Sequence, residues 1–290
     1  MDRTEIFAPG ANGEDIFLVM DSNSQIEKKC LDFRGAVHNI EQENVATWRE
    51  ILNHLPPYLI NKEEALKEWA TYELDDNYEH RHASHLYPLF YGLSDEFANS
   101  PELREAAIKA IKKRIDCRKA GGSEMAFGLV QLAQACISLK DKEDYEFALT
   151  RLLNDYHFRV LNPSHNRMDI FNVDIAGGLP AIIISGIINF DRGQLNILTV
   201  FPISRLPRRK IEGVRTKNQI FIDCLEWPYK KIALVWHSGT DQKIDVQLPV
   251  ECTTANIDGR EWKEFSSDQK SLKGIQLKKG KSTRLEVFLK

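Results

Sequence analysis

Apolar residues recur at helical spacing through the first two-thirds of the chain and at strand spacing through the rest. Val45, Trp48, Ile51 and Leu52 predict a helix over Asn44 to Asn53, which Pro56-Pro57 stops. Ser100 as N-cap and Pro101 at the first helical position open another, with Leu103, Ala106, Ala107, Ile108, Ala110, Ile111 and Ile115 on its apolar side. Gly121-Gly122 breaks the chain, and Ser123 is placed to cap a helix over Glu124 to Leu139. That helix is apolar almost all round, which predicts burial on several sides. Lys142 to Asn154 makes a further helix, with Tyr145, Ala148, Leu149, Leu152 and Leu153 inward. Pro180 to Ile188 is a last apolar helix, opened by Gly177-Gly178. Short connections between successive helices predict hairpins stacked side by side.

The period changes near residue 191. Leu195 to Val200, Gln219 to Asp223, Lys231 to Trp236, Lys243 to Leu248 and Arg284 to Phe288 are short, β-branched and often alternating, with turn residues between them. A run of helices followed by a run of strands predicts a multidomain, α-then-β chain: a helical domain over 1–190 and an antiparallel β-sandwich over 191–290.

Composition narrows the function classes. A hydrophobic fraction of 42% and a charged fraction of 28% are those of a globular protein. The net charge is -3 with both signs mixed, so no basic face favours nucleic acid. Five scattered cysteines form no CxxC pair and read as core residues, not as a disulfide framework. Met1 to Glu5 runs into a polar, Gly-containing stretch without the apolar core of a signal peptide; taken literally, that keeps the chain in the cytoplasm. The longest apolar run, Leu179 to Phe190, holds Pro, Ser and Gly and is too short to span a bilayer.

The chemistry concentrates in Glu79-His80-Arg81-His82-Ala83-Ser84-His85-Leu86-Tyr87, where three of the chain's eight histidines fall within four residues of Arg81. Three readings stand open. Imidazoles in a His-x-His-x-x-His pattern could hold zinc, although Arg81 among them would repel a cation, so no metal is expected. They could be hydrogen-bonded core or interface histidines. Or they line a pocket for a substrate rich in hydroxyls, with Arg and His as donors and Leu86, Tyr87 and Phe90 supplying apolar faces. Glu68-Trp69, just upstream, pairs a carboxylate with a ring suited to a sugar's apolar face; a half-buried Trp beside a solvated Glu is the plainer account. Asp174 lies in an apolar run, Phe171 to Pro180, where it either acts chemically or bonds helix N-terminal amides. Glu14 sits in a Gly/Asn/Pro loop that by composition is an exposed turn.

Four segments together resemble glycoside hydrolase family 95, which contains α-L-fucosidases and α-L-galactosidases. They are Leu66-Lys67-Glu68-Trp69, His80 to Tyr87, Phe171-Asn172-Val173-Asp174 and Ile211-Glu212-Gly213-Val214-Arg215. The resemblance implies a partial (α/α)6-toroid followed by the β-sandwich, and an inverting, exo-acting hydrolysis of an oligosaccharide or glycan without a cofactor. In such chemistry an acid protonates the glycosidic oxygen while a held water attacks the other face. The resemblance assigns Asp174 to the aspartate that polarises water-holding asparagines, since an amide is a poor base alone. It assigns Glu14 to the acid, five residues after Pro9. Glu68, Trp69, His80, Arg81, His82 and His85 become lining of the sugar pocket. The water-holding asparagines lie upstream in the family, in an Asn-x-Asn-x-Gln-Met-Asn-Tyr-Trp-like segment that no string here matches. The resemblance therefore implies a truncated form, and its full-length relatives are expected to be secreted or periplasmic. Six or seven readable helices cannot close a barrel of twelve, so an apolar edge is left open to self-association. A non-catalytic carbohydrate-binding or assembly fragment is the competing expectation.

Overall fold

The computed structural model describes residues 50, 53–122, 125–157, 163–166, 170–202 and 210–290. The helix expected over 44–53 lies mostly outside these residues; Glu50, Asn53 and His54 are helical. The described chain divides into two compact units, Met1–Leu139 with Arg151–Ile175, and Lys140–Thr150 with Ala176–Lys290.

Helices come first and sheets follow. A short helix, α1 (Asp95–Asn99), precedes α2 (Pro101–Lys119), whose Ser100 side chain accepts a hydrogen bond from Leu103 N at 3.2 Å. Pro101 stands at N1, where its missing N–H costs nothing. The end of α2 is equally specified. Gly121 adopts φ +97°, its N–H reaches Arg118 O, and Gly122 N reaches Cys117 O at 2.9 Å. This is a Schellman closure, and it needs the left-handed residue that glycine supplies. Ala106, Ala107, Ala110, Ile111 and Ile115 of α2 are buried in the first unit with Leu129, Leu132 and Ala133 of α3 (Ala126–Leu139). A 3-10 turn over Ser84–Leu89 packs on α3, and Ser138 Oγ donates to Leu89 O at 2.6 Å.

Two more helices are α4 (Lys142–Asp155) and α5 (Val173–Ile187). The last differs from its expected bounds. It starts at Val173 rather than near Pro180, because Asn172 caps it: Asn172 Oδ1 accepts from Ile175 N at 3.1 Å. Gly177, Gly178 and Pro180 lie inside it, and Pro180, past the first turn, leaves the Ala176 carbonyl without its helical donor. In the second unit Tyr145 donates its hydroxyl to Ile182 O at 3.0 Å, and a Cβ at Gly186 would strike that ring.

Strands begin at Ile188. The first sheet has the order β1 (Ile188–Asp191), β2 (Gln194–Ile197), β6 (Gln242–Gln247), β9 (Ser271–Leu277). The second runs β3 (Lys210–Arg215), β4 (Ile220–Glu226), β5 (Lys231–Ser238), β10 (Ser282–Leu289), β7 (Cys252–Ile257), β8 (Arg260–Glu261). Every neighbour in the second sheet is antiparallel. In the first, β2 pairs with β6 in parallel, a departure from the all-antiparallel expectation. Parallel neighbours need a long crossover, and β3, β4 and β5 provide it. Alternation along β5 buries Ile232, Leu234 and Trp236 on one face, as a period of two requires.

Candidate functional site

The first unit builds the histidine-rich loop from behind. Asp76 pins the segment before it: its Oδ1 accepts from Glu68 N at 2.8 Å and lies 3.4 Å from Lys67 Nζ, while Oδ2 accepts from Asn61 Nδ2 at 2.6 Å. This fixes Glu68, whose side chain is only 2% exposed. Its Oε1 lies 3.2 Å from His80 Nδ1, and its Oε2 accepts from Asn77 N at 3.0 Å. Oε2 also lies 3.0 Å from Arg114 Nη2, an ion pair bent away from ideal hydrogen-bond alignment. Arg114 Nη1 then donates to His80 O at 3.0 Å and His82 O at 2.9 Å.

The charges in this cluster are fixed by geometry. Burial alone would raise the Glu68 carboxyl, but the His80 hydrogen bond, the Arg114 charge and the Asn77 amide outweigh it and hold it at about 2. Burial and Arg114 push the His85 imidazole down to about 3 against the pull of Glu68. His85 is therefore neutral at physiological pH, and its Nδ1 finds no hydrogen-bond partner among the described residues. A carboxyl held near 2 is a permanent anion, not a proton donor for chemistry near neutrality.

Arg81 and His82 are less deeply buried than Glu68 and His85. Arg81 is exposed, and its Nε donates to His82 Nε2 at 3.1 Å. The His82 ring is half-buried, edge-on to Phe127 with centroids 6.0 Å apart and to His80 at 5.6 Å. Trp69 is 7% exposed, and its indole N–H donates to Asp75 O at 3.0 Å. Glu68, Trp69 and His85 are thus buried, His80 and His82 are partly buried, and Arg81 is exposed.

Asp174 lies on a different element. It is exposed in the first turn of α5, where a carboxylate complements the helix dipole, and the capping bond belongs to Asn172 instead. Among the described residues no hydrogen bond or ion pair joins Asp174 to the histidine cluster. Its neighbours Ile170, Phe171 and Val173 are all more than half exposed. Glu14 lies outside the described residues. No group of three or more His, Cys, Asp or Glu side chains with metal-binding geometry occurs among the described residues. Nor is any described helix long and apolar enough to cross a membrane.

Sequence reasoning missed Arg114 and Arg118. Both are buried on α2, where they continue the face of Ala107, Ala110, Ile111 and Ile115. An arginine repeated at i and i+4 on an apolar stripe was the available signal, because a buried guanidinium requires anionic or carbonyl partners. Gln131 was missed for the same reason; buried on α3, its Oε1 accepts from Ala83 N at 2.7 Å.

The sequence model of the glycosyl hydrolase family 95 catalytic domain matches residues 22–186, more than half of the chain. The chain belongs to this family. Its histidine-rich loop and the Asp174 turn both fall inside the family 95 match. Alpha-L-fucosidase 2 of Arabidopsis thaliana is 24% identical over 186 residues, covering 60% of this chain and 21% of that protein. The family 95 chain thus spans about a fifth of the length of that curated relative. Among solved structures, a GH127 beta-L-arabinofuranosidase from Geobacillus stearothermophilus T6 is similar at 8% identity and a TM-score of 0.27, covering 96% of this chain and 41% of that one. A glycoside hydrolase is similar at 9% identity and a TM-score of 0.30, covering 69% of this chain and 34% of that one.

Proposed function

We propose that this chain supplies the sugar-lining and water-polarising part of an inverting, exo-acting glycosidase of the α-L-fucosidase or α-L-galactosidase kind, acting on an oligosaccharide or glycan. The observation that carries this reading is the exposed Arg81 with the part-buried His82 beside it, on a loop whose backbone is held by buried Arg114, Arg118 and Gln131. Preorganised donors of this kind bind hydroxyls without reordering on each encounter. Phe127 beside His82 offers an apolar edge. Asp174, exposed at the head of α5, is the carboxylate assigned to polarising the water-holding amides. Glu14 is assigned the acid role. Glu68, with His80 and His85, serves the pocket as a fixed anion and spacer, and Trp69 packs beneath it.

In this reading the helices form one arc of an (α/α)6 toroid within 1–190, and the two sheets, apart from most of β1, are the layers of a β-sandwich within 191–290. The exposed side chains of Ile170, Phe171 and Val173 support self-association through the open edge of the arc. The amides that would hold the water match no string in the sequence, so the chain by itself is assigned sugar binding without efficient turnover.

Calorimetric titration of the full chain with L-fucose and with L-galactose tests this. Saturable binding of at least one sugar is expected, weakened about tenfold by Arg81→Ala or His82→Ala, the effect of about one lost hydrogen bond. No saturable binding of either sugar overturns the reading. An aryl α-L-fucoside and an aryl α-L-galactoside report turnover: activity abolished by Asp174→Ala would show that the chain is catalytic on its own.

A further inference from the structure

The loop that carries Arg81 and His82 and the turn that carries Asp174 are both tied to one place, the start of α3. On one side, Arg118 is buried on α2 and its guanidinium bridges two carbonyls. Nη2 donates to Arg81 O at 3.3 Å and Nη1 to Met125 O at 3.2 Å. On the other side, the next amide along, Ala126 N, donates to His165 O at 2.9 Å. The His165 ring meets Asn172, with Nδ1 3.0 Å from Asn172 Nδ2. Asn172 Oδ1 is already committed to Ile175 N, so Nδ2 is the atom that faces the ring and the imidazole Nδ1 accepts. That same Asn172 opens the helix bearing Asp174. Gly128, in the first turn of α3, makes the approach feasible: a Cβ there would collide with Arg81 O and with the Arg118 guanidinium.

We propose that the start of α3 is a common anchor that sets Arg81 and His82 against Asp174, with Arg118 and His165 as its two positioning residues. The proposal rests on the reading that these three side chains serve one sugar. Neither Arg118 nor His165 need touch it. Their effect is to keep two walls of one pocket in register, where a displacement of about 1 Å can cost a factor of about 100 in rate. Arg118 suits this task better than lysine, because its planar fork reaches two carbonyls at once while an ammonium is a single point charge.

Amide spectra of the ¹⁵N-labelled full chain, with L-fucose as the binding probe and L-galactose beside it, test the anchor. Arg118→Lys keeps the charge but not the bridge. It is expected to move the amide signals of Arg81, Ala126 and Ile175 together and to weaken L-fucose binding about tenfold. Asn172→Ser keeps a capping acceptor for Ile175 N but is too short to hold the His165 ring, whereas Asn172→Asp would let the imidazole switch tautomer and donate. Asn172→Ser is expected to move the Arg81 signal from the far side while the far-ultraviolet dichroism stays parental. A simple packing role would confine each change to its own side. The proposal is overturned if Arg118→Lys leaves Ile175 at its parental position, or if Asn172→Ser leaves Arg81 unmoved. Should Arg118→Lys not fold, Asn172→Ser decides alone. A parent chain that binds neither sugar overturns the proposed function, and the amide shifts still decide the anchor.

Discussion

Replacing Arg114 with methionine probes how the histidine-rich loop is held. The side chain is 3% exposed and pairs with a Glu68 side chain that is 2% exposed. Met fills comparable space but leaves the carboxylate buried with the Asn77 amide and the His80 ring as its remaining hydrogen-bond partners. Breaking a buried pair from one side costs about 3–5 kcal/mol. All the partners of Glu68 together, with Arg114 as one of them, also set a pH dependence. The Glu68 carboxyl is held at about 2 instead of its ordinary 4.5, which corresponds to about 3 kcal/mol at neutral pH at about 1.36 kcal/mol per pH unit. Because the folded carboxyl is depressed, this stabilisation is complete above about pH 4.5 and is lost as the pH falls toward about 2. Without Arg114, burial drives the carboxyl upward and the acid-sensitive range moves with it. Urea unfolding followed by far-ultraviolet circular dichroism, run at neutral pH and near pH 3.5, reads both effects. The variant is expected to be less stable by about 3–5 kcal/mol at neutral pH. The gap should narrow on acidification. The double variant Glu68→Gln/Arg114→Met should recover part of the loss, since it buries no lone charge. A single variant within about 0.5 kcal/mol of the parent, as for an ordinary surface change, refutes the argument. So does a gap that does not change with pH.

Three further outcomes follow from particular contacts. Gly128→Ala forces the Arg81 carbonyl and the Arg118 guanidinium away from α3, and should lower stability by about 1–3 kcal/mol in chemical unfolding; parental stability would show that the loop yields freely. Ser100→Ala removes the side-chain acceptor for Leu103 N and should cost about 1 kcal/mol, read as a fall in the urea midpoint. Trp236→Ala empties a fully buried site in the six-stranded sheet and should cost about 3–5 kcal/mol, measured by thermal unfolding; a cost below about 1 kcal/mol would mean that the site collapses.

The pattern of apolar positions by itself determined the order of the fold. Helix α2 was legible at both ends because capping is local: Ser100, Pro101 and Gly121 act on backbone groups within a turn of themselves. The alternating strands were legible for the same reason, since each residue's face follows from its parity. Helix α5 was misplaced because Gly177, Gly178 and Pro180 outweighed an asparagine cap earlier in the chain, and both signals are compatible with a helix start. The parallel pairing of β2 with β6 had no local signal at all, because neighbours in a sheet are chosen by the path of the chain between them.

The histidine-rich segment likewise announced a polar site, and its sequence alone could not say which side chains serve the pocket and which serve the loop. That division is tertiary. Glu68 is a buried anion because Arg114, 46 residues further along the sequence, arrives beside it on α2. His85 is neutral because the fold buries it near that same guanidinium. The backbone that carries Arg81 and His82 is held because buried donors on α2 take its carbonyls. Residue type and spacing fixed what each group could do; burial and long-range partners fixed its charge, its direction and therefore its role.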